Sequence, residues 1–267
     1  MLSKETMEIK PISSTQEKLV FLLKGVNYTI ANTLRRIMLV EVPTIAIDEV
    51  EFHKNSSALY DEIIAHRLGL VPLKTDLKAY KFKESCTCKG EGCVKCQVTF
   101  TLTKKGPCTV YASDLKSSDP KIVPAYPEMP IVKLLEGQEL ELEATARLGT
   151  GREHIKFSPG LAFYRAYPII KISQDCNGCK KCVEKCPKKV LEIKDKKVKV
   201  VNLEACDLCE ACVEACPKKA ITVKANENDF IFTIESFGQL TPKEILLEAF
   251  NVLDKKLDDF SKAIKKI

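Results

Sequence analysis

At 267 residues, with 45% hydrophobic and 29% charged positions, the chain has the composition of a globular protein long enough for two or three domains. No apolar run approaches the ~20 residues of a membrane-spanning helix, and MLSKETMEIK holds no apolar signal core, which places the chain in the cytoplasm and excludes membrane proteins. The net charge is +6, but the thirteen cysteines alter its meaning. Clustered thiols in a cytoplasmic chain point to metal rather than disulfides. Three four-thiolate centres at about −2 each would bring the total near zero. The basic composition therefore does not imply nucleic-acid binding, and no direct nucleic-acid contact is expected.

Taken in order, Met7–Ile12 and Leu19–Lys24 read as strands. Asn27 is placed to cap a helix in which Ile30, Leu34, Ile37 and Met38 recur on one face, and Pro43 ends that helix near Glu41. Arg35 and Arg36 are adjacent within it, so they lie on different lines of its surface. TIAIDEVEF then alternates as a strand, and Asp61–Leu68 forms a short helix stopped by Gly69. Ser85–Val98 is a loop in which Cys86, Cys88, Cys93 and Cys96 lie as C-x-C-x4-C-x2-C around Gly90 and Gly92. Four soft ligands in a tight loop suit one tetrahedral Zn2+ in a closed structural site; thiols without metal are the alternative. VTFTLTKKGPCTVYASDL reads as two strands around a Lys-Lys-Gly-Pro turn, with Cys108 as a packed core residue. Four prolines make Ser118–Pro130 a loop, LEGQELELEATARLG is strand-like, and GTGREHIKFSPGLAFY carries no pattern that assigns a role.

Cys176–Val223 holds an internal repeat. Cys176, Cys179, Cys182 and Cys186 before Pro187 spell C-x2-C-x2-C-x3-C-P, and Cys206, Cys209, Cys212 and Cys216 before Pro217 spell it again 30 residues later. This is the two-cluster ferredoxin spacing, in which the fourth cysteine of each run serves the other cluster. One [4Fe–4S] cluster is expected on Cys176, Cys179, Cys182 and Cys216, the second on Cys206, Cys209, Cys212 and Cys186. Zinc or degenerate cysteines are the weaker reading, since all eight positions are present.

FIFTIESF is a further strand, and Thr241, Pro242 and Glu244 open a terminal helix with a capping box. In it Leu246, Phe250, Leu253, Leu257, Phe260 and Ile264 recur at steps of four and three, the 3.5-residue period of helices that pack along one another. The later half keeps only this narrow seam between charges, which favours a second chain over an ordinary amphipathic helix. Strand followed by helix at both ends predicts one α+β domain split by insertions. No phosphate loop, GxSxG, HExxH or Rossmann pattern is present, and His53, His66 and His154 read as structural or interface residues. No catalytic residue is assigned.

NTLRRIMLVEVPTIAIDEVEF with HRLGLVPL, and ESFGQLTPKEILLEAFNVL at the far end, resemble the alpha-type assembly subunit of multisubunit DNA-directed RNA polymerases. The inserted cysteine cassette is similar to one that several archaeal members of that family carry, and the loop 86–96 falls where the eukaryotic counterpart binds zinc. The resemblance implies an α+β fold with a split alpha-type dimerisation domain in 1–47 and 226–267. It implies an inserted mainly-β domain in 48–170 and a 2[4Fe–4S] ferredoxin-like domain in 171–225. It implies a transcription role as a platform that pairs with subunit L and docks the large catalytic subunits and small zinc subunits. Arg35, Arg36, His66 and Arg67 are then candidate contacts to a large subunit, and Leu246, Phe250, Leu253, Leu257 and Phe260 the pairing seam. The other function considered is a ferredoxin-type electron-transfer protein or oxidoreductase subunit, for which the cassette alone would suffice.

Overall fold

The computed structural model describes residues 7–266; the first six residues, part of the segment read for a signal core, and Ile267 lie outside the described part. Strands β1 (Glu8–Ser14) and β2 (Lys18–Lys24) lead into helix α1 (Tyr28–Val40), β3 (Pro43–Asn55) and α2 (Asp61–Gly69). Next come β4 (Gln97–Lys105), β5 (Cys108–Tyr111), β6 (Lys116–Ser117), β7 (Pro130–Leu134), β8 (Glu139–Thr150) and β9 (Gly160–Ile172). The cassette adds α3 (Lys181–Lys185), β10 (Leu191–Lys194), β11 (Lys197–Val200) and α4 (Ala211–Glu214), before β12 (Ile221–Ser236) and α5 (Pro242–Ile264) close the chain. Among the described residues no helix is long and apolar enough to cross a membrane.

The chain divides into two units. In one, 7–14, 19–33 and 163–233 come together around a sheet of order β1-β2-β12-β9. Pro11 has no N–H to give a ladder, and it sits on the edge strand β1 where the register shifts between Pro11 and Ser13. Aromatic rings fill this unit: Phe21 stacks on Phe232 at 5.3 Å, and Tyr28 and Tyr164 meet the Phe230 ring edge-on at 4.7 and 5.3 Å. Asn27 Oδ1 accepts the Ile30 N–H at 3.0 Å, the cap expected from the sequence.

Along α1 the buried residues are Ala31, Leu34, Ile37 and Met38. Ile30, assigned to that face by spacing, is 43% exposed; the small Ala31 takes the inward position in the first turn. The helix stops ahead of Pro43, and the Glu41 N–H still reaches the Ile37 carbonyl at 2.9 Å.

The second unit takes, of the described residues, 15–18, 34–162 and 234–266. Its larger sheet runs β3-β8-β4-β6, antiparallel, with Phe52 and Leu102 both opposite Leu142. Alternation along β4 and β8 turns Val98, Phe100, Leu102, Leu140, Leu142 and Ala144 to one buried face. Ile64 and Leu68 of α2 belong to the same core. The two strands around the Lys-Lys-Gly-Pro turn exist, but they do not pair with each other. β4 pairs β8 and β6, whereas β5 pairs β7, so the turn passes the chain from one sheet to another. Cys108 opens β5 half-buried, its thiol against the Lys105 carbonyl at 3.4 Å, at the margin of the core rather than inside it.

Candidate metal centres

The 30-residue repeat of the cassette is also a repeat of backbone conformation. Gly178, Lys180 and Lys189 have φ of 68°, 67° and 52°, and Leu208, Glu210 and Lys219, thirty positions on, have 62°, 58° and 48°. Left-handed turns of this kind are a means by which backbone N–H groups are aimed at an anionic centre. Lys180 and Glu210 stand immediately before α3 and α4, which carry the third cysteine of each run, Cys182 and Cys212. After the fourth cysteines the match continues: Val190 N–H meets Cys186 Sγ and Ala220 N–H meets Cys216 Sγ, both at 3.3 Å. Gly178 is required in its place, because a Cβ there would lie 2.3 Å from the Lys196 carbonyl oxygen.

Two cavities result. The first is lined by Cys176, Cys179, Cys182 and Cys216, with Ile172, Val198 and Ile221 behind them. The second is lined by Cys206, Cys209, Cys212 and Cys186, with Ile170, Val190 and Val223. Each cavity thus gathers three cysteines of one run and the fourth of the other. Burial pushes the thiols of Cys182 and Cys206 up and that of Cys212 up to about 11. Burial of this kind disfavours the thiolate, and a bound iron centre would supply the positive charge that offsets it. Arg165 of β9 donates from Nη1 to the Cys206 carbonyl and from Nη2 to the Glu204 carbonyl, fixing the loop that carries the second run.

In the other unit, Cys86, Cys88, Cys93 and Cys96 bring their sulfurs within 4.8 Å of one another. Cys86 and Cys93 are 3.6 Å apart, Cys88 and Cys96 3.6 Å, and Cys93 and Cys96 3.9 Å. Zn–S bonds of about 2.3 Å in a tetrahedron require sulfur separations of about 3.8 Å, so the donor set fits zinc in number, chemistry and spacing. The Cys88 N–H lowers the Cys86 thiol to about 6, while burial raises Cys96 to about 12. For Cys88, N–H groups of Gly92 and Gly90 outweigh burial and lower it. Gly90 and Gly92 provide these contacts at φ of 91° and 96°.

The remaining sequence-assigned residues are scattered. Arg35 is half-buried and Arg36 exposed on α1. His66 is exposed on α2, and Arg67 donates to the Ile131 carbonyl at 2.6 Å. On α5, Leu246 is buried, Phe250 and Leu253 are half-buried, and Leu257, Phe260 and Ile264 are 57%, 65% and 52% exposed. Sequence reading missed an ion-pair knot in the same unit: Asp48 accepts from Arg147 Nε and Lys156 Nζ, each at 2.6 Å. Arg147 also meets Glu153 at 3.0 Å, and both cations lie 5.1 Å from the Phe157 ring centre. The unassigned stretch 149–164 therefore supplies one side of this knot. Its partners are about a hundred positions apart, and no local pattern marks them.

Comparison with known proteins follows the same division. The family described as RNA polymerase Rpb3/RpoA insert domain matches residues 45–160, and the 4Fe-4S dicluster domain matches residues 175–221. DNA-directed RNA polymerase subunit Rpo3 of Archaeoglobus fulgidus is 45% identical over 262 residues, covering 97% of this chain and 98% of its own. The Methanothermobacter thermautotrophicus subunit Rpo3 is 46% identical, covering 94% of this chain and 97% of its own. That of Pyrococcus furiosus is 37% identical and covers 98% of each. The α+β fold, the insert and the dicluster cassette agree with the resemblance read from the two ends and the middle of the sequence, and the chain belongs to the Rpo3 family of DNA-directed RNA polymerase subunits.

Proposed function

We propose that this chain is a non-catalytic assembly platform of a cytoplasmic DNA-directed RNA polymerase, paired with the small subunit L through a split domain formed by 1–47 and 226–267. The single observation that carries the pairing is α5. In its first half Ile245, Leu246 and Ala249 are buried, while Leu257, Phe260 and Ile264 continue the 3.5-residue seam as mostly exposed side chains. Apolar residues repeated at that spacing on an uncovered helix are what a second helix covers. The inserted domain, 48–170, with His66 and Arg67 on its helix α2, and the α1 surface with Arg35 and Arg36 would dock the large subunits. Arginine suits that role because its planar fork pairs with carboxylates at fixed geometry. Co-expression with subunit L should give a soluble one-to-one complex; failure to form one overturns the platform.

In the cassette, 171–225, we assign one [4Fe–4S] cluster to Cys176, Cys179, Cys182 and Cys216 and a second to Cys206, Cys209, Cys212 and Cys186. The crossed lining of the two cavities supports this. Bound clusters would add one-electron redox capacity, through which assembly is stabilised or tuned. The chain's own part is to supply thiolates, aim N–H groups at their sulfurs and keep water from one side. A free-standing electron carrier needs the cassette alone, and the family membership of the rest of the chain gives that reading no support. The loop 86–96 holds one zinc on Cys86, Cys88, Cys93 and Cys96. Elemental analysis should find about one zinc per chain, lost on Cys93→Ser, and a metal-free wild type overturns the assignment.

A further inference from the structure

We propose that the two iron–sulfur centres are unequal: the one on Cys176, Cys179, Cys182 and Cys216 takes an electron before the one on Cys206, Cys209, Cys212 and Cys186, and the repeat positions 177/207 and 180/210 set that order. The proposal rests on the two-cluster assignment above and concerns what the surrounding side chains do to it.

Cluster potentials respond to hydrogen bonds on the sulfurs, to nearby charge and to burial. The first factor is balanced here. Each centre receives one matched N–H at 3.3 Å, from Val190 on Cys186 and from Ala220 on Cys216. The lysines after the proline are balanced too, Lys218 lining the first cavity and Lys188 the second. Charge on the cysteine loops is not balanced. From 174 to 181 the first loop carries Asp175 against Lys180 and Lys181, whereas its equivalent, 204–211, carries Glu204, Asp207 and Glu210 and no cation. Asp207 and Glu210 line the second cavity itself; their counterparts in the first repeat are Asn177, which lines the first cavity, and Lys180, which is exposed next to the cavity-lining Cys179. Arg165 brings one positive charge to the second loop, on the carbonyls of Cys206 and Glu204, and so offsets one of its three carboxylates. Burial points the same way. Cys206 and Cys212 are both buried in the second set, against Cys182 alone in the first.

Reduction adds one electron to a centre already carrying about −2 with its thiolates, and breaks no bond. Asp207 and Glu210 oppose that added charge, a lysine at 180 favours it, and a drier site tolerates it less well. All three influences make the second centre the harder to reduce.

The repeat supplies its own controls, because each residue to be swapped already occurs at the equivalent position. Lys180 and Glu210 are both left-handed, at 67° and 58°, so exchange adds no backbone strain. Anaerobically prepared full-length chain should first be shown to hold about eight irons. It is then titrated with Ti(III), which gives one electron and becomes Ti(IV), and followed by electron paramagnetic resonance. The expected result is two one-electron steps whose equilibrium constants differ at least tenfold, ~59 mV. Asp207→Asn with Glu210→Lys should move only the lower step up by at least tenfold, and Asn177→Asp with Lys180→Glu only the upper step down. A single overlapping wave, no reducible centre, or swaps that shift the opposite step would each overturn the ordering. Fewer than eight irons in the wild type would instead overturn the two-cluster assignment, and the ordering with it.

Discussion

Asp48 collects two cations from distant parts of the sequence. Its side chain is 25% exposed, and those of Arg147 and Lys156 are 22% and 15% exposed. Burial alone would raise its pKa, but the hydrogen bonds from Lys156 and Arg147 outweigh that and hold it below the usual carboxylate value. Asp48→Asn keeps the shape and removes the charge, leaving Lys156 and Arg147 stacked over Phe157 without their shared partner. We predict a loss of about 1–2 kcal/mol, read by urea unfolding at pH 7. The sign with pH follows from the lowered folded value. The contribution is complete above the unfolded carboxylate pKa near 3.9 and is lost only as pH falls through the still lower folded one. The gap between wild type and variant should therefore be flat from pH 8 to pH 5; a gap already closing at pH 6 would show that the cations do not hold this carboxylate. None of this was legible in the sequence, because contacts across 99 and 108 positions leave no local trace.

Elements were legible where one face is wet and one dry over several turns. The capping box of α5 is in place: Thr241 Oγ1 accepts the Glu244 N–H at 3.3 Å, and Glu244 Oε2 accepts the Thr241 N–H at 2.8 Å. Strand β9 escaped notice because its inward positions are small or interrupted, Ala162, Ala166 and Pro168 among them, so the apolar alternation is weak. Its proline is tolerable because β9 is the edge of its sheet. β7, five residues beside a proline-rich loop, was too short to separate from it. The seam of α5 divides into a half that serves the chain and a half that does not, which makes its role testable. Leu257→Ser with Phe260→Ser should change the stability of the isolated chain by no more than about 0.5 kcal/mol, since both side chains are mostly exposed. The same pair should weaken binding to subunit L by about 30-fold or more, as loss of central apolar anchors does. Leu246→Ser, at a position only 8% exposed, should lower stability itself. Undiminished binding by the double variant would mean that the seam is not the contact.

For the molecule as a whole, the open question is whether the metal cassette and the pairing surface stand or fall together. The eight cassette cysteines lie in the unit of 163–233, and α5 lies in the other. Two strands run into the cassette, β9 and β12; β12 is the one that leads on to α5, and at roughly 3.3 Å per residue its sixteen residues span about 50 Å. Its burial is not continuous. Ile221 and Val223 are buried in the cassette core, Phe230 to Ile234 are buried farther along, and the polar stretch 224–229 between them is exposed or only half-buried. Two buried ends joined by a solvated middle transmit packing changes poorly, because a side chain surrounded by water has nothing to push against. Cys206→Ser with Cys209→Ser should therefore lower iron from about eight to about four per chain, measured by elemental analysis, and loosen the loop that Arg165 holds. Binding to subunit L, measured by calorimetry on the same preparation, should stay within a few-fold of wild type. If pairing disappears when that iron is lost, the solvated middle of β12 is no insulator, and the cassette is part of what makes the chain able to pair.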